Sequence, residues 1–144
     1  MLREDDVKKC FAELLSEMIF LDENPGTETS FLIFPSDFGA FTEYLRMMED
    51  AEEFLADENY EGIYQIASFH PLYIFAGAKD DDAANYTNRS IYPMIHILRE
   101  SSVTEALKGF KNPESIPDNN IAFAEDKGLM YMQLLRESCF RVDG

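Results

Sequence analysis

Two short stretches hold most of the side chains in this chain that could do chemistry. The first is Ser-Phe-His-Pro at 68–71, which puts one of the two histidines directly after a run of strand-forming residues. An imidazole titrates near neutrality, so His70 is the natural candidate for acid–base work. Ser68 shares its face for as long as the strand lasts, and Pro71 restricts His70 to extended backbone and so fixes its direction. In an open sheet, ligands bind beyond the carboxyl ends of strands, which aims His70 at such a crevice.

The second stretch is Asn-Tyr-Thr-Asn-Arg-Ser at 85–90. Arg89 offers five donors in a rigid fork that suits a carboxylate or phosphate. Asn85, Thr87, Asn88 and Ser90 carry short polar side chains that reach ligands, or that staple a loop by bonding its own backbone. Both readings stand at this level. Pro93 fits the first turn of a helix, with Ser90 as its cap and Tyr92 beside it. Free N–H groups at that helix start would attract an anion, so Arg89 and Pro93 together predict an anion cradle. His96 and Arg99 lie three apart on the same predicted helix, as supporting residues behind the ligand.

A two-histidine, one-carboxylate metal site from His70, His96 and Asp82 is a further arrangement, although the spacing matches no metal motif. There is no nucleophile elbow, phosphate-binding glycine loop, dinucleotide fingerprint or zinc-protease motif. The residues therefore leave open whether the protein is an enzyme, and they specify no cofactor.

These groups need elements to hold them. Val7, Phe11, Leu14, Leu15, Met18 and Ile19 follow helical spacing up to the Asn-Pro-Gly at 24–26. Residues 29–34 read as a buried strand closed by Pro35. A second helix follows, capped by Ser36 or Asp37, with Phe41, Tyr44, Leu45 and Met48 inside. Residues 62–69 read as a strand, and 73–77 as a third strand or an extended strap. The thirteen residues 78–90 show no apolar periodicity, and loops of that length in compact domains are functional or disordered. Met94, Ile95, Ile97 and Leu98 predict a largely buried helix. Ser102 and Glu105 form a capping box for another helix, and 121–140 predicts one or two more, broken near Gly128. The expected order is α-β-α-β-(β)-α-α-α. It describes a single α/β or α+β domain over 1–144, with a small two- to three-stranded, partly parallel sheet covered by helices.

Charge narrows the partners. Twelve basic against twenty-eight acidic residues give a net −16 over 144 residues, which disfavours nucleic acid and anionic membrane surfaces. Cys10 and Cys139 form no Cys-x-x-Cys pair, and read as free thiols in a reducing compartment. With no apolar run long enough for a membrane span and no apolar signal segment, the expected location is cytoplasmic.

The blocks Gln-Ile-Ala-Ser-Phe-His-Pro-Leu-Tyr-Ile-Phe-Ala-Gly (65–77), Asp81–Ser101 and Ile116–Ala122 resemble the signature of an uncharacterised bacterial family, domain of unknown function fourteen-fifteen. The resemblance spans about residues 29 to 128. His70, Asn85, Thr87, Asn88, Arg89, Ser90, Tyr92, His96 and Arg99 all fall on its motif positions. Ile91 and Phe34 stand where the family has proline and histidine. The resemblance also implies that the chain lacks the family's usual N-terminal cysteine-containing segment and strand. That would leave a sheet edge that a homodimer could cover.

Three functions are consistent with these readings. The first is binding or turnover of a small anionic or phosphorylated metabolite at the two polar stretches. An alternative is a non-enzymatic interaction module that uses the acidic helix at 49–58 for a basic partner. The third is a metal-dependent hydrolase.

Overall fold

A computed structural model describes residues 4–140. Helix α1 (Glu4–Glu23) leads into strand β1 (Thr29–Ile33), and helix α2 (Phe41–Asp57) into strand β2 (Tyr64–Phe69). After a long connection come strand β3 (Met94–Arg99) and helices α3 (Glu100–Leu107), α4 (Ile116–Lys127) and α5 (Leu129–Ser138). The three strands form one sheet in the order β1-β3-β2, with both pairings antiparallel. The fold is of the α+β class.

The sheet differs from the expected one at a single element. Residues 94–99, read above as a helix, are the central strand. Pro93 is not a helix start: its carbonyl accepts the Phe34 N–H at 2.9 Å and opens the ladder to β1. Proline is tolerated at the first position of a strand, where no donor is needed. With β3 between them, β1 and β2 run in the same direction but never touch, so the expected parallel pairing is replaced by two antiparallel ones. Residues 73–77 form a strap rather than a strand.

Strand alternation sorts the side chains of β3. Ile95 and Ile97 face inward and are fully buried, while Met94, His96 and Leu98 face out. The inner face carries the core. Cys10, Leu14, Met18 and Leu21 form the inward stripe of α1, and Tyr44, Met47, Met48, Ala51 and Leu55 that of α2. Ile19 and Leu45, expected inside, are exposed, because each stripe is rotated slightly from the predicted one. No side chain caps α2, whose N-cap is Ala40. The turn before it holds Phe38 at φ 60°, a left-handed conformation uncommon outside glycine. Helix α3 starts at Glu100 rather than at the predicted capping box, and Gly128, at φ 84°, separates α4 from α5 as expected.

Candidate functional site

The connection from β2 to β3 is an ordered, hydrogen-bonded structure. Residues Ala83–Asn88 form a 3₁₀ turn, with the Asp82 carboxylate capping the Ala84 N–H at 2.9 Å. Asn85 is fully buried and ties this turn to the strap before it. Its Oδ1 accepts the Phe75 N–H at 3.0 Å, and its Nδ2 donates to the Lys79 carbonyl at 2.7 Å. Asn88 donates from Nδ2 to the Ser68 carbonyl at 3.0 Å, and its own carbonyl accepts the His70 N–H. The Thr87 hydroxyl lies 3.0 Å from both the Ala84 carbonyl and Asn88 Oδ1, and its one proton serves one of them.

Arg89 does two things at once. Its Nε donates to the Tyr73 carbonyl at 3.0 Å, and Nη2 donates to the Asp80 carbonyl at 2.9 Å. Its only carboxylate neighbour among the described residues is Asp80 Oδ1 at 3.4 Å, on a side chain that is 81% exposed. The guanidinium lies over the Tyr86 ring at 4.8 Å. It also lines the wall of a cleft.

That cleft has a volume of about 460 Å³, within the usual range for small-molecule sites. It lies where the outer face of the sheet meets α5. Ile33 and Met94 come from the sheet, Tyr86 and residues 89–92 from the connection, and Met132, Leu135, Arg136 and Cys139 from α5 and its C-cap. Its surface is mainly apolar, with the Arg89 and Arg136 guanidinia as its cations. Arg136 donates through Nη2 to the Ser90 carbonyl at 3.0 Å and stacks over Phe140 at 5.0 Å. Its Nε is buried without a partner, and among the described residues no carboxylate pairs with it. Ser90 does not cap a helix, because its hydroxyl donates to the Tyr92 carbonyl.

Of the residues picked out in the sequence, the structure brings Arg89, Ser90 and Tyr92 to the cleft. Asn85, Thr87 and Asn88 lie behind them as the frame of the loop. Arg136 and the other α5 residues were missed. Their one sequence signal was a helix apolar on nearly every side, with a single basic residue in its last turn.

His70 does not open onto a crevice. It is fully buried on the inner face of the sheet, between the Phe41 and Tyr44 rings. Nε2 lies 2.7 Å from the Phe38 carbonyl and Nδ1 accepts the Leu72 N–H at 3.0 Å. The two contacts define one neutral tautomer, with the proton on Nε2. Burial lowers its pKa, against the opposing pull of the Phe38 carbonyl. Ser68 lies on the same inner face.

His96 occupies the outer face, stacked on Phe31 at 4.1 Å, with Nε2 buried and unpartnered. Burial lowers its pKa too. The two histidines thus lie on opposite faces of the sheet and Asp82 is occupied as a cap, so the three do not assemble into a metal site. Among the described residues no cluster of three or more His, Cys, Asp or Glu could hold a metal ion. Arg99 is at the far end of β3 from the cleft. Its Nε and Nη2 donate to the carbonyls of Leu21, Asn24 and Thr27, closing the end of α1.

The buried imidazoles carry a pH signature. A histidine whose folded pKa lies below its unfolded value binds fewer protons when folded. Its stabilising contribution is complete above the ordinary value of 6.5 and is lost as pH falls below it. Urea midpoints should therefore decline from pH 7 toward pH 5. His70→Asn, which keeps an acceptor near Nδ1, should flatten that decline whatever its effect at neutral pH. An unchanged slope in the variant would remove His70 as a source.

No helix among the described residues is long and apolar enough to cross a membrane. Comparison with curated proteins and with solved structures returns no match. The profile of the family described as protein of unknown function (DUF1415) matches residues 1–134, and the chain belongs to that family.

Proposed function

We propose that the cleft between the outer sheet face and α5 binds a small molecule with an apolar body and one anionic group, a carboxylate or a phosphate. One observation carries this reading. In a chain of net charge −16, an apolar cleft is lined by two guanidinia, one with no carboxylate partner among the described residues and one with only a long contact to an exposed one. A buried Nε without an acceptor is a donor in need of one. The apolar walls contributed by Ile33, Met94, Met132 and Leu135 would hold the rest of the ligand. In this reading His70, Asn85 and Asn88 are positioning residues that shape the loop. The anion meets Arg136 and the free edge of Arg89.

Octanoate, phenylacetate and octyl phosphate should each raise the melting temperature, while octanol at equal concentration should not. Arg136→Gln should weaken octanoate binding about 10- to 100-fold, the loss of one charged hydrogen-bonding group. Calorimetry would measure it. Cys139 supplies an independent readout. It is exposed and lines the cleft, whereas Cys10 is buried with its thiol pushed up to about 12 by burial. Iodoacetamide should therefore label Cys139 alone, and octanoate should slow that labelling. Equal stabilisation by octanol, or labelling indifferent to octanoate, would sink the anion reading.

A further inference from the structure

Beyond the edge that α5 reaches at the cleft, no helix or second sheet among the described residues is layered on the outer face of the sheet. Apart from the imidazole of His96, the outward positions of all three strands, among them Phe31, Ile33 and Phe69, carry no acidic or basic side chain. Phe31 and Ile33 are 48% and 50% exposed. A second surface has the same defect. Residues 129–135 of α5 are uncharged, and only Met132 among them is buried, while Met130 and Leu134 are 74% and 56% exposed. A helix apolar on all sides belongs in an interior, and an apolar sheet face needs a helix or a second sheet against it. The two surfaces adjoin, because Ile33 and Met94 of one and Met132 and Leu135 of the other line the same cleft.

We infer that a second copy of this chain covers both. In a two-fold arrangement, α5 of each copy lies across the outer sheet face of the other, so that one contact type occurs twice. The chain presents the helix that its own sheet face lacks and the sheet that its own helix lacks, and that complementarity selects a second copy over an unrelated partner. Area agrees. A half-exposed side chain of this size leaves about 100 Å² in water, given the roughly 150–250 Å² an aromatic buries when fully enclosed. Roughly eight of them supply the ~800 Å² per partner of a stable interface. Charge agrees as well, since an uncharged patch lets two strongly acidic molecules meet with their carboxylates at the rim.

Sedimentation equilibrium on the full chain should give twice the 16.6 kDa chain mass. Phe31→Lys and Leu134→Glu avoid the lining of the cleft. Each should fall to the single-chain mass with an unchanged circular dichroism spectrum. An equimolar mixture of the two variants should recover the doubled mass. In the mixed pair one contact joins lysine to glutamate and the other is wild type. A single-chain mass for the wild type overturns the inference. So does a dimer that survives either substitution, or a mixture that stays single.

Discussion

Replacing Arg99 with methionine should cost about 3–4 kcal/mol of stability, a fall of about 10 °C in melting temperature for a domain of this size. Helix α1 has no basic residue in its last turn. Its final carbonyls form the negative end of the helix dipole and have no intrahelical partner. Arg99 supplies what is missing from 78 residues away, donating to the Leu21 carbonyl at 2.7 Å and to those of Asn24 and Thr27 within 3.1 Å. Its guanidinium also sits 5.9 Å from the centre of the Tyr64 ring. Methionine keeps much of the stem's packing and removes every donor, leaving partly buried carbonyls unpaired. Lysine should recover only part of the loss, since a point charge cannot span three acceptors as a planar fork does. Urea unfolding at constant m-value measures the cost. A value under about 1 kcal/mol would mean that water replaces these bonds without penalty.

Asn85→Ala should cost about 3 kcal/mol and, unlike the Arg99 change, should act on the cleft. The fully buried amide holds the Phe75 N–H on the strap and the Lys79 carbonyl just after it. Alanine leaves a part-buried donor and a part-buried acceptor without their partner, at roughly 1–3 kcal/mol each when water does not replace it. Arg89 rests on the same segment through the carbonyls of Tyr73 on the strap and Asp80 after it, so loosening it frees a wall of the cleft. Hydrogen exchange should quicken at Phe75 and its neighbours while the α1 and α2 amides stay protected, and octanoate affinity should fall with it. Asn85→Asp keeps the acceptor, loses the donor and buries a charge, and should be at least as damaging at neutral pH. Strap protection unchanged in the alanine variant would exclude Asn85 as its anchor.

Both results turn on contacts that sequence patterns do not carry. The helices α1 and α2 and the strands β1 and β2 could be read locally, because a stripe such as Val7, Phe11, Leu14 and Met18 or a run such as residues 62–69 has one favoured period. Residues 94–99 have no such clarity. Apolar side chains at 94, 95, 97 and 98 fit a helical face, and they fit equally well a strand apolar on both sides. The ladders to β1 and β2 decide between them, and those partners are distant in the chain. The same limit hid the cleft. Arg89 could be singled out from its neighbours, but the opposite wall comes from α5, and Arg136 meets Ser90 across 46 residues. His70 misled for a different reason. A histidine at a strand end predicts position well, yet whether it faces ligand or interior depended on Phe38, whose carbonyl turns toward it from a left-handed turn.

The position of β3 also sets an order of events during synthesis. Among the described residues β1 and β2 bond only to β3, so neither has a β partner there until residues 94–99 have left the ribosome. At roughly 5–20 residues per second, the nascent chain carries two apolar strands and two apolar helix faces for seconds before the strand that joins them emerges. The acidic residues crowded along 49–58 emerge before that strand, and like charges on neighbouring growing copies repel one another over roughly a Debye length, about 8 Å at physiological ionic strength.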